Sequence, residues 1–187
     1  MALNQDRIIE VAFEILDSHG LADLSMRRIA TSLGVQASAI YHHVPSKQML
    51  LATLTDRIID GVDEPIGMWR PAMDAWATSL RDHLLAHRDS AELVATVRGF
   101  RLSQRDVTHH PTTVLAAAGL EPDNARAAAG TLLHFVVGHV AEEQAAEEWD
   151  RLGQPSPQPS PSTGESFELG LALILDGIAA QLDAARK

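Results

Sequence analysis

A chain of 187 residues, 45% of them hydrophobic, is long enough to bury one or two cores without covalent staples. Having no cysteine, it excludes disulfide frameworks, thiolate metal sites, iron–sulfur clusters and cysteine nucleophiles. A formal charge of −10 argues against a protein that coats nucleic acid by bulk charge, though not against a small cationic face on an acidic body.

In chain order, Ile8, Val11, Ala12, Ile15 and Leu16 recur at i, i+3, i+4, i+7 and i+8, which predicts a core-facing helix that Gly20 ends in the left-handed conformation. Ser25 reads as the N-cap of a short helix carrying Met26, Ile29, Ala30 and Leu33, with Gly34 as its stop. Gln36 to His43 predicts another short helix, closed by Val44-Pro45 because proline disfavours helical geometry in the preceding residue. Ser46 then caps a fourth, with Leu50, Leu51, Leu54 and Ile58 as its apolar stripe and Gly61 as its end. Pro65, Gly67 and Pro71 break the pattern, and this break divides the chain into a module at 1–62 and a larger helical domain at 63–187.

In the second part, Trp76, Leu80, Leu84 and Leu85 repeat at helical spacing, and further helices are predicted over Ser90–Phe100 and, weakened by Pro111, Val107–Leu120. Pro122 suits the start of a helix that reaches Trp149. Between Thr131 and Ala141 that helix is apolar on almost every face, through Leu132, Leu133, Phe135, Val136, Val137 and Val140. Residues 153–165 alternate proline with small polar residues and predict an exposed loop. The final helix, Phe167 to Ala184, is again apolar nearly all round. Two such helices carry more apolar surface than one chain covers, so a homodimer through the helices at 123–149 and 167–184 is expected, with Gly170, Ala172 and Gly177 permitting close approach. No window alternates as a strand does, so the fold class is all-α. The longest fully apolar stretch, Leu171–Leu175, is too short to span a bilayer and no leader-like segment opens the chain, so a cytoplasmic protein without membrane association is expected.

The segment from Arg27 to His43 has the make-up of a helix-turn-helix: Ala30 is small where two helices cross, Gly34 makes the turn, and Ile29, Leu33, Val35 and Ile40 form a little core. With Ile40 facing inward, Ser38 and His42 point away while Ala37 and Tyr41 lie on one flank. The outward set Gln36, Ala37, Ser38, Tyr41 and His42 is small or polar and contains no acid, as entry into the major groove requires. Arg27 can donate two hydrogen bonds to guanine or one to phosphate, with Arg28 a second cation beside it. Gln36 can pair bidentately with adenine, and Ala37 can touch a thymine methyl. Ser38, Tyr41 and His42 suit phosphate or mixed contacts, and Lys47 adds a cation beside a helix N-terminus.

Residues 6 to 62, through Leu24-Ser25-Met26-Arg27-Arg28-Ile29-Ala30, Leu33-Gly34-Val35, Ile40-Tyr41-His42-His43-Val44, Lys47 and Leu50-Leu51, closely resemble the DNA-binding domain of the tetracycline-repressor (TetR) family. In the C-terminal half, His87-Arg88-Asp89, Gly119-Leu120-Glu121, His134-Phe135 and Val140-Ala141-Glu142-Glu143-Gln144 resemble the tetracycline-repressor class. The resemblance implies a homodimeric, all-helical regulator released from a palindromic operator when its C-terminal domain binds a small effector. In that register the family's metal-binding histidine falls on Val94 and its drug contacts on Trp76 and Leu80, while Glu142 keeps an acidic partner; a tetracycline–magnesium chelate is therefore not the expected effector. An effector pocket is expected from Trp76, Leu80, Val94, Phe100, Leu133, His139 and Glu142. The rival reading is a metal-dependent enzyme built on His139 with Glu142 or Glu143, at i, i+3 and i+4. It lacks any HExxH-like signature, so no catalytic residue, metal ligand or cofactor is assigned.

Overall fold

A computed structural model describes residues 3–103, 105–153 and 163–185 and folds them into helices alone, with no strand among the described residues. By packing, the chain divides into two units, one of residues 1–61 with 84–105, the other of 62–83 with 106–187. The sequence reading places a single break at 62/63, whereas by packing 84–105 groups with the N-terminal residues. No described helix is long and apolar enough to cross a membrane.

In the first unit, α1 (Gln5–His19) begins where the Asn4 side chain accepts a hydrogen bond from Arg7 N at 2.8 Å. It buries Ile8, Ile9, Val11, Ala12, Ile15 and Leu16, the predicted stripe with Ile9 added. Gly20 ends it at φ 81° and ψ 174°, so the positive φ is as expected but the residue is extended rather than left-handed helical. The helix α2 (Met26–Leu33) starts at Ser25, whose Oγ accepts from Arg28 N, and stops at Gly34 in the left-handed region, its N–H turned back on the Ala30 and Thr31 carbonyls. Next comes α3 (Ala37–His43), with Gln36 as the extended residue just before it rather than its first turn. Ser46 Oγ accepts from Met49 N to open α4 (Lys47–Asp60), which buries Leu50, Leu54, Ile58 and Ile59. The unit is completed by α6 (Ser90–Gly99), whose Leu93, Val94 and Val97 are fully buried.

The second unit holds most of α5 (Trp69–Leu85), together with α7 (His109–Ala118), α8 (Pro122–Arg151) and α9 (Gly164–Ala185). Pro71, read as a breaker, and Pro111, read as weakening its helix, both sit inside helices as third residues, and Pro122 is the first residue of its helix. A first turn has no intrahelical use for an N–H, so proline's missing donor costs nothing there. In α8, Leu132, Leu133, Val136 and Val140 are buried, and in α9 Phe167, Leu171, Leu175, Ile178 and Leu182. Gly170 lies against Phe135 of the same chain, where an added Cβ would come within 2.6 Å of the ring; its small size serves α8–α9 packing within the protomer. Gly177 has open space above it. Leu169 and Leu173, one turn apart on α9, remain 64% exposed. Of the loop expected at 153–165, positions 154–162 lie outside the described residues.

Candidate nucleic-acid interface

In the helix-turn-helix Ile29, Ala30 and Ile40 are buried, while Leu33 and Val35, expected in the same little core, are half-buried. That burial turns Arg27, Gln36, Ser38, Tyr41, His42 and Lys47 to solvent, with Ala37 and Arg28 half-buried at the edge. Tyr41 is 48% exposed, well above the usual burial of an aromatic ring that packs in a small domain. The structure therefore places all eight sequence-predicted contact residues within one unit, seven on α2, α3 and the start of α4 and Gln36 immediately before α3. His43 and Met49 are also exposed on these elements, and the inward–outward alternation of α3 and α4 could have signalled both.

Charge separates the cations of residues 1–61 into two kinds. Arg28 is paired with Asp23 at 3.1 Å and Arg7 with Glu10 at 3.1 Å, and Arg57 contacts Asp6. Among the described residues Arg27 and Lys47 form no ion pair. A guanidinium and an ammonium without carboxylate partners are the groups best placed to meet phosphate, because they give up only hydration on binding. Arg28, already held by Asp23, is a poorer donor to DNA than its sequence position suggests.

The effector-pocket expectations divide between the units. In the second, Trp76, Leu80 and Leu133 are buried as core; in the first, Val94 is buried while Phe100, the residue after α6, is 70% exposed. Glu142 points outward on α8, and the neighbouring Glu143 turns inward instead. There the Arg81 guanidinium donates to both Glu143 oxygens, at 2.7 and 3.1 Å, and lies 5.1 Å over the Phe167 ring, which stacks on Phe135. His139 Nε2 donates to the Thr163 carbonyl at 3.0 Å and stands 3.7 Å from Glu143. The carboxylate beside His139 is thus Glu143, one helical turn on, and Arg81 was not singled out by the sequence because a lone arginine in an amphipathic stripe reads as solvated. Among the described residues no three His, Asp or Glu side chains come together as a metal site would need.

Comparison with known proteins decides the family. Residues 8–54 match the bacterial regulatory proteins of the tetR family, and residues 62–165 match the tetracyclin repressor-like C-terminal domain, which alone covers more than half of the chain. The chain belongs to the TetR family. Over 197 residues it is 32% identical to the tetracycline repressor protein class A from transposon 1721 of Escherichia coli, covering 95% of this chain and 91% of that protein. It also superposes on the crystal structure of BioQ with its double-stranded DNA operator (TM-score 0.79, 32% identity, 96% of this chain and 99% of that one). A third relative is ActR of Streptomyces coelicolor in complex with (S)-DNPA (TM-score 0.75, 29% identity, 96% and 99%). As a TetR-family member the chain is a DNA-binding transcriptional regulator, and the metal-dependent enzyme reading is set aside.

Proposed function

We propose that this TetR-family chain is a cytoplasmic homodimeric repressor that holds a palindromic operator and leaves it when a small effector other than a tetracycline–magnesium chelate binds the domain at 63–187. The observation that carries the DNA half is the exposed set of Arg27, Gln36, Ser38, Tyr41, His42 and Lys47 around a buried helix-turn-helix core, with Arg27 and Lys47 forming no ion pair among the described residues. Arg27 meets guanine or phosphate, Gln36 pairs with adenine, Ala37 meets a thymine methyl, Ser38, Tyr41 and His42 make phosphate or mixed contacts, and Arg28 and Lys47 add cations toward phosphate. The relative crystallised with its operator and the relative crystallised with (S)-DNPA support the two halves of the cycle.

Dimerisation runs through α8 and α9. Leu169 and Leu173 on α9, Trp149 on α8 and Leu152 just after it leave apolar surface, and a groove of about 280 Å³ is lined by Ala128, Ile174, Gly177 and Ile178 with the polar Asn124 and Gln181 among them. Val94 in place of a histidine removes the metal ligand on which a chelated drug depends. Release needs differential affinity: moving the population from 1:99 to 99:1 takes about 5.5 kcal/mol. By linkage, operator DNA weakens effector binding by the same factor.

The test is selection of bound duplexes from a random library by the full chain. Inverted half-sites whose centres lie about one helical turn, 34–36 Å, or a multiple of it apart are expected. Failure to enrich any sequence overturns the reading, and enrichment of a lone half-site overturns the dimer.

A further inference from the structure

The turn between α5 and α6 is joined to the far end of α1 by three consecutive residues. His87 Nδ1 lies 3.1 Å from an Asp17 carboxylate oxygen, Arg88 Nη1 donates to the Ser18 carbonyl at 3.4 Å, and Asp89 Oδ2 accepts from Leu21 N at 2.7 Å. The last bond joins residues 68 apart in sequence and is partly buried. Two departures from ordinary backbone accompany it. Asp89 adopts φ 55°, a left-handed conformation that L-residues other than glycine adopt at a cost. It also precedes α6, where aspartate normally caps its own helix, yet its side chain makes no such bond. Opposite it, Gly20 sits at φ 81°, and a Cβ there would stand 2.5 Å from Asp89 Oδ2.

Strain kept at a contact, together with a forgone cap, marks a position that does more than add stability. Only Ala22, Asp23 and Leu24 separate Leu21 from the cap of α2, with Leu24 fully buried and its N–H on the Leu21 carbonyl at 3.2 Å. Fixing Leu21 therefore fixes where α2 begins, and with it Arg27. We infer that Asp89 is a positioning residue for DNA reading: by holding the Leu21 N–H it sets the α1–α2 turn and the placement of Arg27, without touching DNA itself. The inference rests on the DNA-binding reading above.

The experiment uses the full chain, the duplex enriched from the random library, and amide hydrogen exchange. Asp89→Gly removes the acceptor while relieving the left-handed backbone, so folding is expected to survive. In that variant, Leu21 exchange should speed up and the duplex dissociation constant should rise about tenfold, the size of one lost charge-assisted hydrogen bond, with the thermal midpoint held. Asp89→Asn, whose amide oxygen still accepts, should restore both readouts. Unchanged Leu21 exchange, wild-type affinity in Asp89→Gly, or an affinity loss no larger than the loss of folded protein overturns the role. A wild-type chain that enriches no duplex fails the DNA-binding reading and takes the role with it. The two failures stay distinguishable because Leu21 exchange is read without DNA.

Discussion

Arg27 and Arg28 are neighbours with different fates. Arg28 lies against Asp23, so its charge is partly spent inside the protein, whereas Arg27 forms no ion pair among the described residues. Arg27→Ala is therefore expected to weaken operator binding by about 1–3 kcal/mol, and Arg28→Ala by less, in a mobility-shift titration at fixed salt. Equal losses for the two would contradict the charge argument. A second residue concerns stability alone: the buried Thr55 hydroxyl on α4 has no hydrogen-bond partner among the described residues. Thr55→Val keeps the shape and removes an unsatisfied group, so a gain of about 1 kcal/mol in urea unfolding is expected. Signals confined to a few adjacent residues were legible beforehand. Ser25, Gly34 and Ser46 act on amides and carbonyls within one turn of themselves, so their roles follow from the local string. Glu143 was harder to separate from Glu142, since both lie within reach of His139 along α8. Only the phase of the buried stripe tells which one faces Arg81.

Among the helices, proline proved an ambiguous signal. Pro65 lies between elements, but Pro71 and Pro111 fall in first turns, because the residue type forbids a helix interior and not a helix start. The long apolar helices posed the opposite problem. Their composition showed that α8 and α9 must be covered, and could not say by what. Phe135 over Gly170 supplies part of the answer from inside the protomer, while Leu169, Leu173 and Gly177 stay uncovered. Gly170→Ala is accordingly expected to destabilise the monomer fold by about 1–3 kcal/mol through overpacking against Phe135, measured by thermal unfolding. Gly177→Ala should leave that unfolding nearly unchanged and alter the sedimentation-measured dimer dissociation constant instead. The bond from Asp89 to Leu21 had no sequence signature, since contacts between residues so distant in the chain leave no periodicity in either segment.

For the molecule as a whole, the −10 charge is unevenly shared. Residues 1–61 carry Arg7, Arg27, Arg28, Lys47 and Arg57 against Asp6, Glu10, Glu14, Asp17, Asp23, Asp56 and Asp60. The segment 84–105 brings Arg88, Arg98, Arg101 and Arg105 against Asp89 and Glu92, which balances the first unit to zero and leaves the full −10 on the second. This balance appears only when α6 is counted with the unit it packs in. Its consequence lies in how the regulator finds its site. A neutral reading unit in a chain whose other unit is acidic releases few counterions from random DNA, so the protein has little hold with which to slide along it. Operator capture should then proceed by direct collision from solution. The measured association rate should be the same for a short duplex and for the same site embedded in kilobases of flanking DNA, and a rate that climbs with flank length would show that the chain tracks the helix after all.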